Sequence, residues 1–447
     1  MSELQIKEVM NEQPMSRYQW FIVGICLFLY IIDGFDFMVM AYVASSIGAE
    51  LSLTSTHIGA LISAGLVGMT VGSIFVAPLA DRIGRKNLVI ISLILCATSM
   101  VAATFVRSAF ELGICRFITG IGIGGIQISC MVLATEYSSK RLKSFSVGLL
   151  SAGYGLGATL GGLLAVYLIG SFGWRYVFLF GGIATFVGLL LSIRYLPESI
   201  DYLLYKQPKQ ALEKLNMIAK KMGHQIMENL PAQALKPTGK STIKKIFNEK
   251  YLMQTLILWF SMFFILFGFY FVMGWTPKII ASSGLGNESG VTIGMMISAG
   301  GMIGALALGV LSTKFRVFHV QVFFLCATAL SVFMFVNSTA TPNLLILSAI
   351  ILGLFINGCL AGIYSISTGI YEADVRSTGV GFATGIGRFG GISSPIIAGY
   401  FLDQGMAPLS LYGLFSVIFI IAAIGIFSLS RMNAKAEKKF QAQPAEA

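Results

Sequence analysis

Residues 20–42 read WFIVGICLFLYIIDGFDFMVMAY, an apolar run broken by two acids, Asp33 and Asp36. A helix of about 20 apolar residues crosses a hydrocarbon layer roughly 30 Å thick. This run is long enough to cross. At about 1.5 Å per residue the two carboxylates lie roughly 20 and 24 Å from Trp20, at membrane depth.

Eleven further runs follow, at about 57–80, 87–106, 110–134, 144–170, 174–196, 251–274, 290–312, 318–336, 343–368, 378–401 and 409–430. Composition agrees, with 56% hydrophobic and 11% charged residues against about 25% charged in a soluble domain. The expected fold class is an all-α membrane protein of twelve transmembrane helices in two six-helix, pseudo-symmetric halves. The expected segments are an N-terminal half over 1–196, a central loop over 197–250, a C-terminal half over 251–430 and a tail over 431–447. Residues 1–19 are polar and mixed in charge, so the first run reads as a retained span and not a signal peptide.

Basic loops are retained on the cytoplasmic side. With the N-terminus inside, 26 of the 31 Lys and Arg residues are cytoplasmic; Arg107, Arg175 and Lys278 are outside, and Arg116 and Arg388 lie within spans. Both termini are therefore expected in the cytoplasm. The net charge of +11 then reports topology and contact with anionic lipid, and no nucleic-acid partner is expected. The six Cys all fall in apolar spans without CxxC spacing and read as packing residues. His57, His224 and His319 fall in separate loops, which leaves no nucleophile and base pair for an intramembrane hydrolase. No metal site, no cofactor and no enzyme activity are expected.

Sliding the second half over the first by 235 residues exposes a repeat. Ile62-Ser63-Ala64-Gly65 recurs as Ile297-Ser298-Ala299-Gly300, and Arg141 lands on Arg376. Parallel six-helix halves are a known transporter architecture, with the substrate site near the midplane where the halves face each other. The loop at 197–250 is then the link between them, with a surface helix over Lys209–Met222 and no separate soluble domain. Asp33-Gly34-Phe35-Asp36 maps onto Gly268-Phe269-Tyr270-Phe271, so the acidic pair belongs to the first half alone.

Asp33 and Asp36, three residues apart, share a helix face. Buried acids face a cavity, pair with a cation or take a proton, so proton coupling and a structural ion pair both stand as readings. Gly34 between them lets the helix unwind or another backbone approach. Arg116, about 10 Å into span four, lies at the depth of Asp36 and can pair with it. Arg388 lies near the middle of span eleven among glycines, where Gly153 is its first-half counterpart. A guanidinium forks onto a carboxylate; each Arg reads either as an anion site or as a fixed counter-ion. Gln127, Asn357 and Tyr364 are secondary polar contacts, and Phe267 and Tyr270, in the aromatic span seven, can stack on a ring. After span two, Asp81-Arg82-Ile83-Gly84-Arg85-Lys86 forms a tight turn whose acid can cap a helix end.

With these spans, this repeat and this turn, the chain resembles the major facilitator superfamily over nearly its whole length. Asp81, Arg82, Gly84, Arg85 and Lys86 match that family's inter-helix signature, which implies a conformational latch. Ala77, where the family usually has Gly, and Lys314–Arg316, without the repeated acid, depart from it. Asp33-Gly34-Phe35-Asp36, with Arg116 and Pro197-Glu198-Ser199, looks like the aromatic acid:proton symporters. That resemblance implies uptake of a small benzoate-like carboxylate with protons across a bacterial inner membrane, Asp33 and Asp36 coupling the proton. The rivals are a carrier of a related acid such as muconate, a sugar or polyol porter, a drug/proton antiporter and a membrane receptor for aromatic acids.

Overall fold

The structure, a computed structural model, describes residues 14–223, 229–230, 246–248, 251–371 and 375–441. Twelve long helices occupy the expected positions. Spans one to six are Arg17–Glu50, Ser55–Val71 with its continuation to Ile83, Arg85–Ala103, Ala109–Glu136, Lys143–Ser171 and Arg175–Tyr195. Spans seven to twelve are Leu252–Ile280, Gly286–Lys314, Val317–Asn337, Pro342–Ile370, Arg376–Asp403 and Ser410–Gln441. The repeat offset of 235 carries Arg17 to 252 and Arg175 to 410, where spans seven and twelve begin.

Among the described residues, ten segments are long and apolar enough, by length and composition, to cross a membrane. Leu252–Lys314 holds two spans in one such segment, fused by a π turn at Ala281–Leu285 where Gly284 and Gly286 take φ of 93° and 82°. Span eleven is not among them, because its 28 residues are rich in Gly and Ser. Its small residues serve packing: Gly387, Gly390 and Gly391 lie against Met262, the Phe263 carbonyl and the Tyr270 ring of span seven. Small residues let membrane helices approach closely, and van der Waals contact then holds them.

Span one is longer than its apolar run, with 34 helical residues. Helical hydrogen bonding propagates past the lipid-facing stretch, and it ends before Ser52, at φ 51°. Span two closes irregularly, through a π turn at Gly72–Val76 and a 3-10 turn at Ala77–Leu79. Pro78 has no N–H for the α ladder, which accounts for the change of pitch there.

The chain divides into two compact units, one of Met1–Val39 with Ala64–Thr238, the other of Met40–Ser63 with Gly239–Ala447. In the first, spans two and four interlock through glycine: Gly68 and Gly72 meet the carbonyls of Phe117 and Ile121, and Gly120 and Gly124 meet those of Gly65 and Met69. The helix Ala211–Met222 buries Ala211, Leu215, Ile218, Ala219 and Met222 and turns its lysines outward; it starts two residues later than expected. In the second unit, spans eight and ten repeat the interlock, Gly300 and Gly304 meeting the carbonyls of Ile350 and Leu354.

The second unit also holds the hairpin between spans one and two. Asp403, ending span eleven, accepts the backbone N–H groups of Ser55 and Thr56, both at 2.8 Å, and so caps the start of span two. Burial raises the Asp403 carboxyl, and hydrogen bonds from Thr56, Ser55 and Thr54 outweigh it, bringing it to about 2. Below the cap, Ser63 Oγ donates to the Ile392 carbonyl and Trp275 Nε1 to that of Pro395. His57 and His319 sit in the first turns of spans two and nine, not in loops, since helical hydrogen bonding begins at Ser55 and Val317; His224 lies outside the described residues.

Candidate functional site

Span four is started by a capping box. Ser108 accepts from the Glu111 N–H, and Glu111 reaches back to the Arg107 N–H. Seven residues on, the helix delivers Arg116 to the interior, 5% exposed. Its Nη1 donates to Asp36 Oδ1 at 2.8 Å and its Nη2 to the Asp36 main-chain carbonyl at 3.1 Å. Asp36, like Asp33, is 3% exposed. The expected partnership of Arg116 and Asp36 is therefore present, with a second bond, to the backbone, that the sequence does not signal.

Asp33 sits one turn before Asp36 and makes no hydrogen bond to the guanidinium. Gln127 of span four lies beside it, yet neither Asp33 oxygen reaches hydrogen-bond geometry, and Asp36 Oδ2 and Arg116 Nε are also without a partner. Tyr30, a further turn back, donates its hydroxyl to the Gln127 carbonyl at 2.8 Å and so ties span one to the helix carrying both Arg116 and Gln127. The rotation of span one is fixed on its other side by span five. A β-carbon at Gly34 would collide with the Tyr154 carbonyl, and one at Gly157 with that of Ile31. Gly34 thus serves backbone approach, and span one stays helical through it. Gly65 on span two leaves the room in which Arg116 Nη2 lies; an added β-carbon would stand 3.3 Å from it. The sequence analysis singled out neither Tyr30, whose hydroxyl sits in an apolar run, nor the small Gly65 as a site position.

The second unit gathers three of the other candidates. Arg388, half-buried, lies within electrostatic reach of Tyr270 and Tyr364. Tyr270 packs on Gly391, and Tyr364 is 36% exposed. Asn357 bonds its own helix, Nδ2 to the Gly353 carbonyl at 3.2 Å, and lies over Gly301. Phe267 is spent on packing, stacked between Phe263 and Phe415 with centroids at 5.9 and 5.2 Å.

In the turn after span two, Glu198 joins the acid the sequence singles out, Asp81. Gly84 takes φ 93°, which favours glycine, and the Glu198 carboxylate occupies the space a side chain would fill. Glu198 Oε1 accepts the N–H groups of Arg85 at 2.7 Å and Lys86 at 3.1 Å, so it caps span three. Asp81 bears electrostatically on Arg85. Arg85 pairs with Glu136 and donates to Ser199 Oγ at 2.6 Å, while Ser199 donates to Glu136 at 2.7 Å. Burial lowers the Arg85 guanidinium, and Asp201, Asp81 and Glu198 pull it back up. Lys86 Nζ donates to the Ile193 carbonyl and the Arg82 carbonyl accepts from Tyr202. Glu136 did leave a signal: an acid ending a helix opposes the dipole there and needs a cation.

The sequence model of the Major Facilitator Superfamily matches residues 26–340 and 303–447. The chain is similar to a gallate transporter of Pseudomonas putida, at 30% identity over 95% of each chain. It is similar to the 4-hydroxybenzoate transporter PcaK of Acinetobacter baylyi, at 30% identity over 95% of this chain and 94% of that one. A benzoate transport protein of the same organism is 28% identical over 99% of this chain and 95% of its own. Among solved structures, the inward open xylose transporter XylE of E. coli aligns with a TM-score of 0.71 at 16% identity, over 92% of this chain and 96% of that one. A bacterial homologue of the human lysosomal transporter Spinster aligns with a TM-score of 0.66, also at 16% identity, over 94% and 99%. These relatives are membrane transporters, not enzymes. A multi-pass chain of twelve spans with an end-to-end match of this kind belongs to the Major Facilitator Superfamily.

Proposed function

We propose that the chain carries an aromatic carboxylate of the benzoate and hydroxybenzoate class into the cell together with a proton. The observation that carries this reading is the buried Arg116–Asp36 pair with Asp33 one turn away, in a chain that aligns end to end with gallate and 4-hydroxybenzoate transporters. A guanidinium recognises a planar carboxylate by its paired donors, and two carboxylates at membrane depth are the groups able to take up a proton. Arg388, with Tyr270 and Tyr364 in reach, offers a second cation and aromatic surface. The site works by alternating exposure to the two sides of the membrane. The chain lies in the bacterial inner membrane, with both termini in the cytoplasm as its basic loops require.

Uptake of labelled benzoate, 4-hydroxybenzoate, protocatechuate, muconate and glucose into proteoliposomes, with and without a protonophore, tests the reading. Accumulation of an aromatic acid that the protonophore abolishes is expected. Uptake of glucose alone overturns it.

A further inference from the structure

Three lysines of the first unit converge at one point. Lys86, in the first turn of span three, extends its Nζ to the Ile193 carbonyl in the last turn of span six, 3.0 Å away. Lys214 and Lys221 of the helix Ala211–Met222 lie within electrostatic reach of it. Those two are seven residues apart, so they share a helix face, with the exposed Met217 between them. Lys221 Nζ stands over the ring of Tyr18, in the first turn of span one, 5.3 Å from its centroid. The neighbouring face carries Glu213 and Lys220, also seven apart but of opposite sign.

Among the described residues, no carboxylate forms an ion pair with Lys86, Lys214 or Lys221. Glu198 is the acid within reach of Lys86, but its Oε1 is taken up by the N–H groups of Arg85, Lys86 and Ser199. Three like charges gathered at the rim of a low-dielectric layer repel one another, so the arrangement favours an anion among them. The frame does not demand a cation at this place. The offset of 235 carries Lys86 to Gln321, which is fully buried and donates to the Cys359 carbonyl. Beside the lysines the surface is apolar and faces outward. Phe21, one turn beyond Tyr18 on the same face of span one, is exposed and meets the exposed Tyr195 of span six edge-on at 5.5 Å. Tyrosine at the end of a span marks the headgroup level of a membrane.

We propose that Lys86, Lys214 and Lys221 form a binding site for the phosphate of an anionic phospholipid, whose acyl chain lies along Phe21 and Tyr195. An ammonium has three donors. Lys86 spends one on the Ile193 carbonyl and turns the others to the phosphate. The bound lipid ties the helix Ala211–Met222, which lies outside the spans, to the ends of spans one, three and six. A soluble phosphate meets the same ammoniums but leaves Phe21 and Tyr195 uncovered, so the lipid is the assigned occupant. The site does not depend on which substrate the chain carries.

The test titrates the full chain in detergent, by native mass spectrometry, with phosphatidylglycerol and with zwitterionic phosphatidylcholine. Phosphatidylglycerol is expected to bind about tenfold tighter or more. Lys221→Gln is expected to weaken it about fivefold and Lys214→Gln with Lys221→Gln about thirtyfold, while Lys220→Gln, the same loss of charge one residue away, stays within about twofold of the wild type. All three side chains are exposed, so the variants keep the fold. Melting temperature gives a second readout: phosphatidylglycerol raises that of the wild type and not that of the double variant. Glycerol 3-phosphate, which has the phosphate without the chains, is expected not to displace the lipid at equal concentration. Equal affinity for the two lipids, equal weakening by Lys220→Gln and Lys221→Gln, or a double variant that binds like the wild type overturns the site. Glycerol 3-phosphate bound as tightly as phosphatidylglycerol overturns the lipid as its occupant.

Discussion

The two repeats solve the same interior position in opposite ways. In the first, Asp36 and Arg116 make a buried ion pair. In the second, the equivalent positions are Phe271 and Ile351, and Phe271 stacks on Phe415 with ring centroids 3.8 Å apart. Gly268, at the position of Asp33, is covered by the Phe419 ring. The frame is common to both: Gly65 and Gly300 lie on equivalent interlocked helix pairs, but Gly65 makes room for a guanidinium while Gly300 meets the Ile350 backbone. A buried ion pair is no better for stability than well-packed apolar residues of similar volume. The second repeat fills the position by packing alone, and we propose that the charges of the first are retained for function.

That contrast breaks most severely at Arg116. Arg116→Met strands Asp36 in the interior and is expected to abolish aromatic acid binding and to cost about 3–5 kcal/mol of stability. The double change Asp36→Leu with Arg116→Met, making the first repeat resemble the second, is expected to regain that stability to within about 1 kcal/mol and to remain inactive. Thermal unfolding in detergent beside an uptake assay measures both; a double variant as unstable as the single one would show that the pair is structural. Phe271→Ala empties the equivalent aromatic site. It is expected to cost about 3 kcal/mol, the low end for a buried Phe, because lipid already keeps the unfolded side chain out of water. Uptake by the surviving fraction should keep its proton dependence, which an ion-pair variant should not.

Smaller effects sharpen the same contrast. Gly34→Ala pushes a methyl group into the Tyr154 carbonyl and is expected to cost about 1–3 kcal/mol, whereas Gly148→Ala on span five, with open space around it, should be neutral or slightly stabilising. Equal melting temperatures for the two variants would contradict the close contact of spans one and five. The smallest effect is expected at Asp403, where Asp403→Ala removes the cap of span two for about 1 kcal/mol. The Asp403 carboxyl lies at about 2, below its ordinary 3.8. Its contribution is therefore full above about pH 4 and fades as pH falls towards 2. A pH series of melting temperatures on wild type and Asp403→Ala should converge in that acid window; a constant difference through it would remove Asp403 from the cap.

The sequence by itself determined the twelve spans, the repeat, the confinement of the acids to the first half, and the matching depth of Asp36 and Arg116. Each follows from a local quantity: apolar length, residue spacing, or rise per residue. Only the tertiary structure decided that Asp33 lies beside Gln127, that Arg116 also holds the Asp36 backbone, that Glu198 caps span three, and that Phe267 is consumed by stacking. All four depend on how each helix is rotated about its own axis. Rotation is set by contact between helices distant in sequence, such as Gly34 on Tyr154 or Gly84 under Glu198, and hydropathy carries no record of it. The acidic pair could be located from the sequence; its division into one paired acid and one unpaired acid required the packing of spans one, four and five.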